Sequence, residues 1–301
     1  MPDIAGISGK AVADVAGISG ESLSNIAKFG GITKASSASI RTSDLQIWWE
    51  AADGDGGAHP SGSGRRIVNK AHAAGYSNPA IEGDHRLLNG SSSNWTTVGG
   101  VDAILLDGTN DNILTRQLYA GADWFNENLG SSNIYYHNWY EQHDNGDGWT
   151  VEIWVKAFNN SWQSSSNIWS AYMNQGFRLR TSSSGNPANV TFVRIYDGTR
   201  ETSWNPTESI PADEWVHLCL TVDPGNQFTL YENGGSASTN STLAIDPATW
   251  TRSTLIIGAY RTSGQEARKF YVGEYRMYDK ALSASDVLGN FNATKSTYGI
   301  T

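Results

Sequence analysis

The sequence is short of both cysteine and charge. Cys219 is the one cysteine among 301 residues, which excludes an internal disulfide framework and a zinc site built from cysteines. Charged residues make up 17% of the chain and hydrophobic residues 39%. A disordered chain needs far more charge and less apolar surface, so this composition predicts a folded protein.

Basic residues are fewer than acidic ones, with 21 Lys and Arg against 30 Asp and Glu, and the net charge is −9. We therefore expect no nucleic-acid partner, because such binding depends on cationic contacts to phosphates. No apolar run approaches the roughly 20 residues that cross a bilayer. The N-terminus also lacks the basic start of a signal peptide, so we expect neither membrane insertion nor a secretory leader.

Aromatic residues and glycine, in contrast, are abundant, with 12 Trp, 13 Tyr and 32 Gly. Such a composition favours β-sheets with many turns. Residues 149–157 and 214–223 alternate between apolar and polar with the period of a strand, and Asn233-Gly234 is a strong hairpin signal. The sequence predicts an all-β fold of two packed antiparallel sheets. One helix is expected near the C-terminus, after a capping box at 283–286.

The first 35 residues contain an 11-residue repeat, seen in IAGISG (4–9), VAGISG (15–20) and IAKFGG (26–31). Apolar residues recur at helical spacing in two units and predict two short amphipathic helices. Their apolar stripes consist of Val12, Val15, Ile18, Leu23, Ile26 and Phe29. Helices of about two turns are not stable alone, so these stripes must dock on another surface.

That surface is either the chain's own main domain or another subunit of an assembly. Residues following the repeat are small and polar and predict a linker, which favours the assembly. We therefore expect three parts: a helical anchor at 1–35, a linker at 36–43 and a sandwich at 44–301.

Six segments of the sandwich, in this order, resemble the laminin-G-like (concanavalin A-like) jelly-roll family. They are DLQIWWEA (44–51), LDGTNDNI (106–113), WTVEIWVK (149–156), WVHLCLTVD (215–223), YENG (231–234) and YRMYDKALS (275–283). The turn PSGSG (60–64) and the N-terminal repeat are similar to those of phage virion proteins. The resemblance implies a two-sheet jelly roll.

The same resemblance implies a virion structural protein, in which the repeat anchors the jelly roll on a capsid or tail. It would then lie on the virion surface in several copies or as a homo-oligomer, with other virion proteins and host-surface glycans as partners. A free carbohydrate-binding lectin is the alternative. A divergent glycoside hydrolase or lyase is a second alternative.

Hydrolysis of glycosides requires two carboxylates that face each other about 5–10 Å apart. Hydrolases of this fold place several acids on alternate positions of one strand, and no such pattern occurs here. Glu152 stands alone on its segment, and Glu274 lies two residues before Arg276, which predicts an ion pair on one face. Cys219 alternates within a strand and is expected to be a buried, inert thiol. We therefore predict no enzymatic activity.

Glycan binding needs flat aromatic rings beside hydrogen-bonding side chains. One aromatic loop has this composition, and a tryptophan of a following loop has polar neighbours. The candidate residues are Tyr135, Tyr136, Trp139, Tyr140, Glu141 and Trp162. The alternative is that these rings fill the core or cover its ends.

Calcium is the cation that the sequence favours, as a structural ion. Asp107, Asn110 and Asp111 offer the oxygen ligands that calcium prefers. The alternative is a hydrogen-bonded turn in which Asp107 and Asn110 cap backbone amides.

Overall fold

The structure is a computed structural model that describes residues 39–53, 65–67, 69–73, 85–115, 148–172, 176–196, 199–206, 209–224, 227–241, 254–260 and 266–301. The chain divides into two units between Ser39 and Ile40, and the second unit is the one described below. The predicted anchor and the aromatic loop at 135–141 lie outside the described residues, so both stay predictions.

Eight strands form the first sheet, in the order β15-β14-β13-β7-β17-β5-β4, with β1 paired to β17. Their bounds are β1 Leu45–Glu50, β4 Trp95–Val98, β5 Val101–Asp107, β7 Trp149–Ala157, β13 Val216–Val222, β14 Phe228–Glu232, β15 Gly235–Asn240 and β17 Lys269–Tyr278. β17 lies near the middle of this sheet. It pairs with β7 along one edge and with β5 and β1 along the other.

Nine strands form the second sheet, in the order β11-β10-β9-β8-β16-β6-β3-β2, with β12 paired to β10. Their bounds are β2 Arg65–Ile67, β3 His85–Leu88, β6 Asn112–Thr115, β8 Asn167–Tyr172, β9 Gly176–Thr181, β10 Ala188–Tyr196, β11 Thr199–Trp204, β12 Ser209–Ile210 and β16 Thr254–Ile257. Strand pairs in both sheets are antiparallel, which confirms the predicted sandwich.

The core lies between the sheets and is built from one face of each strand. Val151, Ile153 and Val155 of β7 face inward together with Leu218 and Leu220 of β13, as the alternation predicted. Large rings fill the space that the aliphatic side chains leave, and Trp149 and Trp169 pack with their ring centroids 5.8 Å apart. Burial of these side chains is the main source of stability of the sandwich.

The hairpin between β14 and β15 turns at Asn233 and Gly234, as predicted. Both residues have positive φ, 49° and 72°, which is the backbone of the tight turn that Asn-Gly favours. A Cβ on Gly234 would lie 2.8 Å from the ring of Phe291. Glycine is therefore required twice here, by the turn and by the helix packed against it.

Two helices are described, α1 at Lys70–Ala73 and α2 at Ala284–Thr294. α2 begins at the predicted capping box, where the Ser283 hydroxyl accepts a hydrogen bond from the backbone N–H of Asp286. Its buried side is made of Val287, Asn290, Phe291 and Thr294. Because Phe291 stacks on Trp154, which points away from the core on β7, α2 covers the outer face of the eight-stranded sheet.

Arg41, which belongs to the predicted linker at 36–43, is fastened to the sandwich. Its backbone N–H donates to Asn290 Oδ1 at 2.7 Å, and its guanidinium lies 2.9 Å from Asp44 and 3.1 Å from Asp286. Composition alone placed this residue in the linker. Among the described helices, none has the length and apolarity to cross a bilayer.

Candidate functional site

An ionic centre lies on the outer face of the eight-stranded sheet and consists of Glu152, Glu274 and Arg276. Arg276 Nε is 3.0 Å from Glu152 Oε2, and Arg276 Nη1 is 3.4 Å from Glu274 Oε1. The side chains are only 1–2% exposed. The predicted ion pair between Glu274 and Arg276 is thus confirmed.

The register of the strands brings this centre together. Arg276 of β17 lies directly opposite Glu152 of β7, so both side chains point to the same face. Glu152 therefore has a charged partner across the sheet, although the sequence of its own strand had indicated that it stood alone. A pattern along one strand shows which face a side chain takes, whereas the partner across the sheet depends on the register.

Helix α2 closes the centre from above. Asn290 Nδ2 donates to both carboxylate oxygens of Glu152, at 3.1 and 3.0 Å, and lies 3.0 Å from the Tyr278 hydroxyl. On the opposite side, Trp48 Nε1 donates to Glu274 Oε1 at 2.9 Å. Each buried carboxylate thus has at least one neutral donor besides Arg276, which offsets part of the cost of removing it from water.

Burial is the largest single influence on the pKa values of Glu274, Glu152 and Arg276. It raises the pKa of Glu274 to about 7 and also raises that of Glu152, although Arg276 acts against both shifts. For Arg276 itself burial would lower the pKa, but the two carboxylates outweigh burial and raise it. The arginine therefore stays charged, while protonation of Glu274 is within reach of neutral pH.

Two further buried groups line the centre. His217 Nε2 lies 3.8 Å from Glu152 Oε1, which is beyond hydrogen-bond distance. Burial lowers the pKa of His217 well below its usual value, and the charge of Arg276 lowers it further. Burial raises the pKa of the Cys219 thiol, and the Glu152 carboxylate adds to the shift. His217 is thus a neutral ring, and Cys219 is the buried, protonated thiol that the sequence predicted.

The carboxylates of this centre are buried and are not exposed to a substrate. Two carboxylates near one arginine form the kind of cluster that active sites use. Here, however, the two acids are 1% and 2% exposed, so neither carboxylate is open to a glycosidic bond. The arrangement fastens the helix to the sheet and has no space for a reacting sugar.

The turn at 107–112 has the hydrogen-bonded form that was the alternative to a calcium site. Asp107 Oδ1 accepts the backbone N–H groups of Thr109, Asn110 and Asp111 at 2.7–3.4 Å. Asp111 Oδ2 accepts from Asn94 Nδ2 at 2.5 Å, and burial raises the pKa of Asp111. Asn110 contributes its carbonyl oxygen, not its side chain, as acceptor for Asn89.

Within the described ranges, no three His, Cys, Asp or Glu side chains gather as a metal site. Calcium binding at the 107–112 turn stays a prediction.

Trp162 is placed in the core, which corrects its assignment to a glycan surface. It is 1% exposed, its ring packs 5.8 Å from that of Phe270, and its Nε1 donates to the Pro211 carbonyl at 2.9 Å. A buried indole whose N–H is already bonded offers no free face to a sugar ring. The alternative interpretation, that such rings fill the core, holds for this residue.

An open groove of about 370 Å³ lies on the outer face of the eight-stranded sheet, at the end of β7. Lys156, Asp213 and Glu214 provide its charged groups, and Trp215 and Tyr298 provide its aromatic wall. The two rings meet edge to face, with centroids 5.1 Å apart. Its volume lies within the range of small-ligand sites.

Lys156 is the polar centre of this groove. Its ammonium group donates to the Asp213 carbonyl, and burial lowers its pKa, although the carboxylates of Asp213 and Glu214 act in the opposite direction. A cation and two carboxylates thus converge on one open space, beside two rings that are only 4% and 7% exposed. Such a set of donors and acceptors suits a ligand rich in hydroxyl groups.

Sequence reasoning did not find this groove or the role of Asn290. The helix does carry one usable signal, because Asn290 and Thr294 lie three and seven residues after Val287 and so share its buried side. A polar pair on the buried side of a helix predicts polar partners beneath it.

Comparisons with known proteins agree with this architecture. The family model described as the concanavalin A-like lectin/glucanases superfamily (Laminin_G_3) matches residues 128–288. None of the curated proteins compared with the chain matches it.

Among solved structures, a mutant of HCR/D has a TM-score of 0.51 at 11% identity and matches over 85% of this chain and 53% of its own. The receptor-binding domain of botulinum neurotoxin C/D mosaic serotype has a TM-score of 0.49 at 12% identity, over 83% of this chain and 51% of its own. The chain thus spans about half the length of these structures. The sialidase CBM40 of Ruminococcus gnavus, bound to α2,3-sialyllactose, has a TM-score of 0.39 at 17% identity, over 47% and 81%.

Proposed function

The chain belongs to the concanavalin A-like lectin/glucanase superfamily, and we propose that it is a non-enzymatic member that binds glycans. One contrast on the outer face of the eight-stranded sheet supports this proposal. Glu152 and Glu274, the two acids paired with Arg276, are buried, whereas the groove around Lys156 is open.

The groove is the site that we assign to the glycan. Sugars present many hydroxyl groups, which accept from an ammonium group and donate to carboxylates. Lys156, Asp213 and Glu214 supply both kinds of partner, and the largely buried rings of Trp215 and Tyr298 form the wall behind them. Affinity then depends on the polar groups that fix orientation, chiefly Lys156.

The test measures binding and turnover in the same samples. The full chain is titrated with a panel of algal and bacterial polysaccharides, and new reducing ends are measured after incubation. We expect binding without turnover and about tenfold weaker binding for Lys156→Met, which is the loss of one good charged contact. Lys280→Met, which removes a half-buried lysine beyond the end of β17, is the matched control and should bind as the wild type does.

Two results would overturn this proposal. Reproducible release of reducing ends that disappears in Glu152→Gln or Glu274→Gln would make the chain an enzyme. Absence of binding to every polysaccharide in the panel would remove the glycan as its ligand.

The 11-residue repeat favours an additional, compatible role as a virion structural protein. In this proposal the segment at 1–35 attaches several copies of the chain to capsid or tail subunits at the virion surface. Burial of one such apolar side chain contributes about 1.5–3 kcal/mol, so the six apolar residues of the stripes suffice to hold a domain. We expect Ile18→Asp combined with Ile26→Asp to abolish co-sedimentation with particles that lack the gene product. Equal sedimentation of mutant and wild type would show that attachment lies elsewhere.

A further inference from the structure

Two partly exposed aromatic rings, those of Phe158 and Tyr271, lie on the outer face of the eight-stranded sheet. Phe158 follows the end of β7, and Tyr271 belongs to β17. Phe270 and Val272, on either side of Tyr271, pack in the core, so the tyrosine side chain points away from the core. The Phe158 ring lies on the same face, since the two ring centroids are 5.8 Å apart.

The register of β7 and β17 places this pair beside the groove. Tyr271 lies directly opposite Lys156, and it packs against the hydrophobic cluster that contains Trp215 and Tyr298 of the groove wall. Neighbouring strands are about 4.8 Å apart, so the surface from β13 across β7 to β17 is about 10 Å wide. A ligand that leaves the groove past Lys156 therefore reaches Tyr271.

Lys269 adds a cation to this surface. Its ammonium group lies 4.0 Å from the centre of the Phe158 ring, and its backbone N–H donates to Gln163 Oε1 at 3.2 Å. Within the described part of the chain, neither this ammonium group nor the Tyr271 hydroxyl has a hydrogen-bond partner. Ring contacts nevertheless hold both side chains in place. Polar groups that are positioned but unpaired bind a ligand at a low cost in ordering.

We propose that Phe158, Lys269 and Tyr271 form a second subsite, continuous with the groove, through which the chain binds an extended segment of a polysaccharide. The rings of Trp215 and Tyr298 are largely buried, so Tyr271 is the ring that offers an exposed apolar surface to a sugar next to Lys156. Its hydroxyl and the Lys269 ammonium group bond to the hydroxyl groups of that sugar.

This inference rests on the proposed glycan binding and adds the length of the ligand to it. A short glycan fills the groove around Lys156 alone, whereas a longer one also covers the subsite at Tyr271. Residues of the subsite that contact the ligand therefore affect the affinity for long glycans. Residues that only stabilise the sheet change the affinity for short and long glycans alike.

The experiment titrates the full chain with the disaccharide and the hexasaccharide prepared from each of laminarin, dextran and alginate. We expect the wild type to bind a hexasaccharide at least about tenfold more tightly than the disaccharide of the same polymer. Tyr271→Ala should weaken hexasaccharide binding about tenfold, and Lys269→Met about fivefold. Both variants should change disaccharide binding less than about twofold, because the groove is intact.

Three further variants serve as controls. Lys156→Met should weaken binding of both lengths by the same factor, since both occupy the groove. Tyr271→Phe keeps the ring and should retain most of the affinity for the hexasaccharide. Lys280→Met removes a lysine beyond the end of β17 and should bind both lengths as the wild type does. Urea unfolding of each variant confirms that it folds.

Two results would overturn the subsite while the groove stands. One is equal loss of disaccharide and hexasaccharide binding in Tyr271→Ala and Lys269→Met, which would show that these residues support the groove without contacting the ligand. The other is equal affinity of the wild type for the two lengths. Failure of all six oligosaccharides to bind would overturn the proposed function together with this inference.

Discussion

At the scale of single residues, Glu274 is a carboxyl group whose burial has an electrostatic cost. It is buried beside Arg276 and accepts a hydrogen bond from Trp48, yet burial still raises its pKa to about 7 from an ordinary 4.5. The folded chain therefore binds a proton at this residue more readily than the unfolded chain does. Glu152 is shifted in the same direction.

The raised pKa of Glu274 makes the free energy of unfolding depend on pH. A carboxyl group whose pKa is raised in the folded state contributes most stability below its unfolded pKa, and this contribution is lost as pH rises through the folded value. The free energy of unfolding should thus fall between pH 5 and pH 8.5. Glu274→Gln mimics the protonated acid and should be more stable than the wild type at pH 8.5, by an amount on the order of 3 kcal/mol, and similar to it at pH 5.

Urea unfolding at the two pH values measures this difference. Asp102→Asn removes an exposed carboxylate and should leave the pH dependence of the wild type unchanged. A Glu274→Gln variant that lost as much stability as the wild type on going to pH 8.5 would show that Glu274 is not the group that titrates.

At the scale of secondary-structure elements, the amide of Asn290 is one of the contacts that fasten helix α2 to the sheet. Asn290 donates to Glu152 and accepts the backbone N–H of Arg41 through its other atom. Removal of this side chain leaves a buried carboxylate without one of its neutral donors and a backbone N–H without its acceptor. Loss of partners at a buried charge costs more than a surface hydrogen bond does.

We predict that Asn290→Ala lowers the free energy of unfolding by about 3 kcal/mol. Asn292→Ala, two residues further along the same helix and exposed, is the control and should change stability by less than about 0.5 kcal/mol. The measurement is chemical unfolding followed by tryptophan fluorescence. Equal destabilisation by the two variants would show that helix propensity, not the contact with Glu152, sets the loss.

The elements themselves were largely readable from the sequence. The alternation at 149–157 matches β7, and the capping box at Ser283 marks the start of α2. These signals are local, since each depends on residues within one strand or one turn. The ionic centre was not readable, because it depends on the register between β7 and β17 and on a helix that returns over the sheet. Trp162 was misassigned for a related reason: its loop is polar, and only the tertiary packing buries the ring.

At the scale of the whole molecule, the sandwich begins where Arg41 joins it. The N–H of Arg41 is bonded to α2, and its guanidinium lies between Asp44 and Asp286. Because these contacts join the first residues of the sandwich to its C-terminal helix, they close the unit that starts at Ile40. A truncation that ends at this boundary should therefore change the unfolding temperature much less than one that removes a few residues more.

We predict that removal of residues 1–39 leaves the unfolding temperature nearly unchanged, whereas removal of residues 1–43 lowers it by several degrees. The second truncation deletes the Arg41 contacts, each worth about 1 kcal/mol, and for a domain of this size 1 kcal/mol corresponds to about 2–4 °C. Arg41→Ala in the full chain is the matched variant. It should lose the stability that the guanidinium contributes, while it keeps the backbone hydrogen bond to Asn290. Differential scanning calorimetry of the full chain, the two truncations and Arg41→Ala measures these unfolding temperatures. If removal of residues 1–39 already lowers the unfolding temperature as far as removal of residues 1–43, the stability of the sandwich depends on the N-terminal segment, and the boundary at Ile40 does not mark an independent domain.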